Sequence, residues 1–516
     1  MKNRQEAPVL LVFLFATGLT FLLYLPSLWS GFVYDAEAQI LIGDYIHNPA
    51  NFFEVVSFQV MGKDVLDFNR PVQLFSLMLD SLVWGKRAIG YHLTSNLLHA
   101  LNAGMLALLI LKLLPETTIV SGRMIAVFAA LALAFHPVQV EAVAEISSRE
   151  DVLATFFLLL ALLAGEFFAR HHGRRAVGWA VLAVLAVLLS CASKETGVIA
   201  PVLLLILFLL FHRDQIWRPW VYLIVTTSAV AGIFLFARFA LEPQDSIIFT
   251  REPTWLGGSL SNTLMIQPRI WLFLFKLIFW PLGLSADYIP QNVNWITLPT
   301  ALIGLLVVLT VQALLAWKSR IATFGALIFW LGLAPVSNFI PMYRPLADRF
   351  LYLPMLGMAL TLAGALSLLK PHSPVYKMAL ALVLAGLISL SVLSVERQKV
   401  FSSSLTLWQD TVIKSPESFT ANSNLAYILR EGGDLQAALP RFQAALKISH
   451  YKNPAPFAGL ALIYEDLGDK QKAEEALRRA ITLDSRYKNP QELVTALVLT
   501  RENAESLKKI EARLKE

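Results

Sequence analysis

The sequence predicts an all-α protein in two parts: a polytopic membrane helical bundle over residues 1–395 and a helical-repeat solenoid over residues 396–516. Three observations carry this expectation. The chain is 56% hydrophobic and only 16% charged, with a mean hydropathy of +0.59, far from the composition of a water-soluble domain. Many apolar runs approach the ~20 residues that a helix needs to cross the hydrocarbon core. Beyond about Ser394 those runs stop, charge returns, and a helical period of 34–35 residues begins.

The elements follow in order. The first run, Pro8–Leu28, is longer than the ~7–15-residue apolar region of a signal peptide and has no clear small-x-small cleavage site, so a retained first helix is expected. A long hydrophilic loop, 30–90, comes next. Further spans are expected over 92–113, 123–136, 151–169, 176–192, 197–211 and 219–240, then over 296–317, 321–341, 350–369 and 376–394. With the first run this makes about eleven crossings. Basic stretches separate them on one side: Lys112, Arg170 to Arg175, His212-Arg213, Arg218, Lys318-Ser319-Arg320, and Lys370 to Lys377. The positive-inside rule places these stretches and the amino terminus in the cytoplasm, with the carboxyl-terminal module outside. The segment Ile270–Leu284, reached through the loop Leu241–Arg269, breaks the alternation. It is short for a span and is interrupted by Lys276 and Pro281, so an outward interfacial or re-entrant helix is expected there.

The net charge of +6 is spread over those loops and is no nucleic-acid footprint. The single cysteine, Cys191, excludes an intrachain disulfide, which is compatible with a bacterial cytoplasmic (inner) membrane. In the tail, Leu425-Ala426, Gly433, Ala438, Phe442 and Ala445 recur 35 residues on as Leu460-Ala461, Gly468, Ala473, Leu477 and Ala480. Trp408 and Pro416 fit the second half of an earlier unit. Small residues let paired helices approach and large ones fill the seam, which is the pattern of tetratricopeptide repeats. Two full units are fewer than the roughly three that sustain an array, so helices over 402–415 and 490–514 are expected to cap it.

Ionisable residues inside membrane helices cost about 2.5–3.5 kcal/mol each on insertion scales, so their grouping is informative. Asp35 and Glu37 follow the first span, and Arg70 lies in the first loop. His136, Glu141, Glu145, Arg149, Glu150 and Asp151 fall between the third and fourth spans. Lys194 and Glu195 follow the fifth, and Arg344, Asp348 and Arg349 lie between the ninth and tenth. All converge on the outward face. A carboxylate serves as general base toward a hydroxyl. Arg and Lys hold and neutralise a phosphate leaving group. A lipid-lined cleft suits a polyprenyl chain. The mixture fits sugar transfer from a lipid phosphate. The sequence contains no P-loop, no His-Glu-x-x-His and no Cys/His metal set, and no inverted halves with broken helices are evident. A non-catalytic scaffold whose repeats recruit envelope proteins and a lipid-sugar transporter are the alternatives.

Seven motifs occur in a fixed order. They are Gly31-Phe32-Val33-Tyr34-Asp35, Asn69-Arg70-Pro71, Gly90-Tyr91-His92-Leu93 with Asn96-Leu97-Leu98-His99, Phe135 to Val143, Arg149 to Leu153, Ser193-Lys194-Glu195-Thr196-Gly197, and Ala347 to Pro354. In this series, with its repeat tail, nearly the whole chain resembles the transmembrane and tetratricopeptide repeat O-mannosyltransferases and their bacterial relatives, of the GT-C glycosyltransferase class. The resemblance implies a GT-C-like membrane domain. It also implies a polyprenyl-phosphate-linked sugar donor, a lumenal or periplasmic site, and mannosylation of Ser or Thr on a protein acceptor. Mannose rests on the resemblance alone, and bacterial relatives could use another hexose or a different lipid.

The family shows two adjacent acids after the first helix. Here the second is Ala36, and Glu37 comes one later. Asp35 is the first candidate base and Glu37 the reserve, and Ala36 also fits weakened or lost catalysis. Arg149, Lys194 and Arg349 are the candidates for the donor phosphate. Arg70, His136, Glu141, Glu150, Asp151 and Glu195 are the candidates for substrate positioning. Structural roles compete. Glu150 and Asp151 stand where acids favour a helix start, His136 before Pro137 ends a helix, Lys194 and Glu195 pair locally, and Arg344 anchors at the interface. Trp255, Trp271 and Trp280 suit an interfacial belt. Neighbouring acids are chemically able to hold Mg²⁺ or Mn²⁺, which leaves a divalent metal open.

Overall fold

The computed structural model describes residues 3–114, 119–242, 255–495 and 499–515. Residues 243–254, within the expected loop Leu241–Arg269, lie outside the described residues. The fold is helical, with no strand among the described residues. The first part of the chain forms α1 (Asn3–Leu23), α2 (Pro71–Trp84), α3 (Ala88–Leu113), α4 (Ile119–Ala134), α5 (Arg149–Arg170), α6 (Arg174–Ser193) and α7 (Ala200–Leu207). It continues through α8 (Trp217–Ala240), α9 (Leu260–Phe279), α10 (Leu298–Lys318), α11 (Arg320–Leu333), α12 (Tyr352–Ser367) and α13 (Pro374–Val400).

Each of the eleven sequence-predicted spans coincides with a helix. Eight segments are long and apolar enough to cross a membrane: Ala88–Leu113, Ile146–Arg170, Arg174–Ser193, Glu195–His212, Trp217–Ala240, Leu298–Lys318, Asp348–Ser367 and Pro374–Val400. Two others, Val9–Leu23 and Arg320–Val336, are apolar but shorter. The third expected span bends: Ser121–Ala134 turns by 53° into Pro137–Ala144. His136 and Pro137 make that break, because the residue before a proline is held out of the helical region, and His136 lies at φ −73°, ψ 128°. The chain is a multi-pass membrane protein. Within it, 78% of the apolar window of Asp348–Ser367 is buried by protein against 11% for Pro374–Val400, so α12 is central and α13 peripheral.

α9 begins ten residues before the segment expected from sequence, at a cap where Ser259 Oγ accepts from the Asn262 amide. Both of its ends are anchored on one face of the bundle. The Leu256 amide donates to Asn338 Oδ1 at 2.9 Å just before it, and His136 Nε2 meets the Ile278 carbonyl at 2.9 Å near its end. Asn338 and His136 each follow a helix that ends on that face, so α9 lies across the face rather than through the bundle. The interfacial placement expected for Ile270–Leu284 agrees with this geometry.

The loop 30–90 is more structured than its polarity suggests. Phe32, Ala36, Ile40, Val55, Val60, Leu74, Leu77 and Tyr91 form a small apolar core that seats α2 on the bundle. α11 and α12 approach so closely that a methyl group on Gly357 would meet the Gly325 carbonyl and the Phe329 amide.

The division expected at 395/396 falls inside α13, which continues unbroken to Val400. The repeat module then comprises α14 (Ser404–Lys414), α15 (Phe419–Glu431), α16 (Leu435–Ile448), α17 (Ala455–Asp466), α18 (Lys470–Leu483) and, after shorter turns, α19 (Arg501–Lys515). The 35-residue period is visible in the turns. Asp434 and Asp469 cap the following helices by accepting from the Ala437 and Lys472 amides, and their own backbone amides donate back to the Leu429 and Tyr464 carbonyls. The Phe442 ring occupies the space beside Gly459 and is fully buried, with Tyr427 edge-on at 4.9 Å.

Gly357→Ala is expected to destabilise the bundle by about 1–3 kcal/mol, because backbone atoms must move to admit the methyl group. Gly386→Ala, where nothing lies within 4 Å, should leave stability unchanged. Thermal unfolding of the two variants in detergent compares them directly, and equal melting temperatures would contradict the close α11–α12 approach.

Candidate functional site

One end of the helical bundle carries a cluster of paired ionic side chains. Lys194 follows α6 at the tight turn Glu195–Ile199, where Gly197 lies so close to the Ser190 backbone that no side chain fits. Its ammonium donates to Asp151 Oδ2 at 2.6 Å and lies 3.5 Å from Glu150 Oε1. Glu150 also faces Arg70 at 3.3 Å. Arg70 reaches on to Asp67 at 2.8 Å and Glu195 at 3.9 Å, and Glu195 meets Arg238 at 3.7 Å. Glu141 holds Arg349 twice, accepting from Nη1 at 2.5 Å and from the backbone amide at 3.1 Å. Burial of these charges is tolerable because each meets an opposite charge with good geometry.

Asp35 stands at the open mouth of this network. Its side chain is accessible, and no hydrogen bond reaches it among the described residues. Protein surrounds it closely enough that desolvation lifts its carboxyl to about 6; Arg349 pulls the value down, while Asp67, Glu150 and Glu141 push it up. Beside it, desolvation and then the Asp35 charge raise Glu145 to about 8, against the bonds that Glu145 accepts from Ser147 and Ser148. The preceding residue, Tyr34, adopts φ +60°, a conformation costing an L-residue of this kind about 1–2 kcal/mol. Two contacts hold it there: Trp408 of α14 at 5.1 Å between ring centroids, and the Arg344 guanidinium 4.6 Å above the ring. Arg344 makes no ion pair among the described residues; burial, and then repulsion from Arg349, lower it to about 9.

Most of the residues singled out from sequence meet here: Asp35, Arg70, Glu141, Glu150, Asp151, Lys194, Glu195 and Arg349. Three do not take the expected part. Arg149 is fully buried and turned away. Asp80 pairs with it at 2.6 Å, and Ser76, Ser95 and the Tyr91 carbonyl take its remaining donors. With four of its five N–H donors engaged inside the protein, it braces α2 and α3 against α5. Glu37 points toward the repeats and accepts from Ser404 Oγ at 2.7 Å. His136 is buried and uses both ring nitrogens on backbone, at Val138 and Ile278, so it shapes the α4 break and seats α9.

Sequence reasoning passed over Asp67, Asp80 and Arg238. A lone acid within the apolar run Pro71–Trp84 is a signal, since it must find a cation; Asp67 stands one turn before Arg70; Arg238 reads only as a helix boundary. The acids of the mouth are turned toward guanidinium and ammonium groups, and no group of three or more His, Cys, Asp or Glu is arranged to hold a metal ion among the described residues.

A second ionic junction joins the bundle to the repeats. Arg397 in α13 meets Asp348 at 3.3 Å and Asp410 of α14 at 3.1 Å. Tyr288 donates to Asp348 at 2.5 Å, and Ser418 donates to Asp287 at 2.6 Å. The Gly31 amide donates to the Ser402 carbonyl at 3.0 Å. The repeats therefore sit on the same face as the mouth.

The tetratricopeptide repeat family matches residues 457–487. Among curated proteins, the chain is similar to Protein O-mannosyl-transferase F38B6.6 of Caenorhabditis elegans, with 26% identity over 447 residues, covering 84% of this chain and 62% of that one. It is similar to Protein O-mannosyl-transferase Tmtc1 of Drosophila melanogaster, with 30% identity over 189 residues, covering 36% of this chain and 21% of that one. The chain thus spans less than two thirds of the length of these relatives. Among solved structures, it is similar to ArnT from Cupriavidus metallidurans in the apo state, with a TM-score of 0.43, 14% identity and coverage of 80% of each chain. These sequence matches are to proteins of the kind that the ordered motifs resemble.

Asp80→Asn should lower stability by about 3–5 kcal/mol by leaving Arg149 buried without its counter-charge, whereas Asp80→Leu combined with Arg149→Met should recover most of the loss. Unfolding midpoints in detergent measure both. Undiminished stability of Asp80→Asn would contradict the bracing role.

Proposed function

We propose that the chain is an integral membrane glycosyltransferase that moves a sugar, a hexose such as mannose, from a polyprenyl-phosphate donor to a hydroxyl of a protein acceptor. The observation that carries this reading is the accessible Asp35 carboxylate under the influence of Arg349, on the face where the repeats dock. The similar proteins are named protein O-mannosyl-transferases, which agrees with it. The basic ends of the helices face the cytoplasm by the positive-inside rule. The mouth and repeats then face the periplasm of a bacterial inner membrane, where the repeats engage the acceptor.

In this mechanism the acceptor hydroxyl oxygen attacks the anomeric carbon, and its proton passes to Asp35. The bond from that carbon to the donor phosphate oxygen breaks, and the polyprenyl phosphate leaves with the electron pair. In-line displacement inverts the anomeric centre. Arg349, fixed by Glu141, and Arg344, which pairs with no carboxylate among the described residues, stabilise the charge gathering on the phosphate. Lys194 contributes through the network, since its ammonium is already shared by Asp151 and Glu150. Arg70, Glu150, Asp151 and Glu195 line the mouth and position the sugar. The second oxygen of Glu150 is buried without a hydrogen bond, which suits an acceptor for a sugar hydroxyl. Ala36 is fully buried in the apolar core with Phe32 and Ile40. The alanine serves packing there.

Asp35→Asn should reduce transfer by about 10²–10⁴-fold, the usual contribution of a general base, with unchanged melting behaviour. In the parent protein the raised carboxyl sets the sign of the pH response: kcat is flat above about pH 6 and falls about tenfold per unit below it, as Asp35 takes up its proton. Initial rates with a synthetic polyprenyl-phosphate hexose measure both, and full activity in Asp35→Asn would refute the assignment.

Arg344→Gln should raise the donor KM about tenfold or more, as expected for loss of a charged hydrogen bond of ~1.5–3 kcal/mol. Donor titrations that match the parent would remove Arg344 from the phosphate site.

A further inference from the structure

The opposite face of the bundle carries a separate feature. α5 is 22 residues long, so its far end lies about 30 Å from Glu150 at 1.5 Å per residue. There, a notch of about 450 Å³ opens between α5 and α6, lined by His171, Arg175, Gly178, Trp179 and Leu182. Its aromatic wall is rigid: Trp179 stacks on Phe167 at 4.7 Å, and Lys112 lies 5.6 Å from the other ring contact of that pair, the Phe167 centroid. His171 is fixed by the Phe167 carbonyl at 2.8 Å.

The charge at this end is unbalanced. Among the acids described at this end, Glu166 is buried and already bound by Arg170 at 2.6 Å and His212 at 2.7 Å, and Asp214 lies 3.9 Å from Arg213. Arg174 and Arg175 are exposed and make no ion pair among the described residues. Below the notch α6 presents Val177, Val181 and Leu185, each at least half exposed, as a helix does toward lipid. A basic rim, an aromatic wall and an apolar track descending into the membrane are thus aligned on one helix.

We infer that this notch binds an anionic phospholipid from the adjoining leaflet. The phosphate sits on Arg174 and Arg175, the glycerol region lies against Trp179, and the acyl chains follow Val181 and Leu185. A soluble anion would use the arginines alone, whereas the apolar track and the lateral opening select a lipid. The basic ends of membrane helices are where anionic headgroups concentrate, and the notch gives one of them a shaped seat. The site is independent of the transfer reaction on the other face.

The test is native mass spectrometry of the full chain released from nanodiscs of mixed phosphatidylcholine and phosphatidylglycerol. The parent should retain phosphatidylglycerol in preference to phosphatidylcholine. Substituting both Arg174→Gln and Arg175→Gln should lower that retention about tenfold. Gly178→Leu, whose side chain enters open space and fills the notch without a clash, should lower it comparably with all charges intact. Lys318→Gln, on the same face but away from the notch, should leave it unchanged. Melting temperatures equal to the parent's verify that the variants fold. Undiminished retention in either notch variant overturns the proposal, as does displacement of the lipid by millimolar inorganic phosphate, which would indicate a simple anion patch.

Discussion

Charges brought into a low-dielectric bundle must neutralise one another, and this constraint shapes the face of the bundle that carries the mouth. Arg70, Glu150, Lys194 and Asp151 come from the start of α2, the start of α5 and the turn after α6. None of these groups is tolerable there alone, since breaking a buried pair leaves an uncompensated charge worth several kcal/mol. The network therefore ties together segments that are far apart in the chain. It holds the first loop down on the bundle and keeps the mouth in one shape before any ligand arrives. Preorganisation of this kind is what makes electrostatic stabilisation of a developing charge effective.

The same constraint sorts the ionic residues by what they have left to offer. Arg149 has Asp80 and three further acceptors, so most of its hydrogen-bonding capacity is used within the protein. Arg349 is locked by Glu141 but remains at the mouth. Arg344 and Asp35 are the groups whose charge the fold leaves least satisfied, and they flank the strained Tyr34. Strain at such a position persists only where surrounding contacts over-determine it; here they come from both parts of the molecule, through Arg344 and Trp408.

Those contacts also explain why the repeat module is more than a tethered appendage. α13 runs without interruption into the junction, and Arg397 bridges Asp348 of the bundle and Asp410 of α14. Glu37, two residues after Asp35, is bonded to Ser404. The first helix of the module thus forms part of the wall beside the mouth, and the geometry of Asp35 depends on how the module docks. Under the proposed reaction, this brings the surface that engages the acceptor and the base that receives its proton onto one rigid frame.

Much of this was readable before any coordinates. The eleven apolar runs became helices because local hydrophobicity and length suffice to specify them. The repeat register held because Gly433 and Gly468, with the aspartates that follow, repeat the same turn chemistry. The convergence of Asp35, Glu150, Lys194 and Arg349 on one face followed from counting crossings. The sequence could not say which charge answers which. Arg149 and Arg349 look equivalent in a linear reading, yet one meets Asp80 from within α2 and the other Glu141 beyond the α4 break. Glu37 reads as a reserve base in the sequence, and in the fold it accepts from Ser404, on a helix hundreds of residues on. The direction of α9 depended on Asn338 and His136, neither of which belongs to it. Helix and turn preferences are local and legible residue by residue. The pairing of charges is decided by distances across the folded bundle, and only tertiary structure sets those.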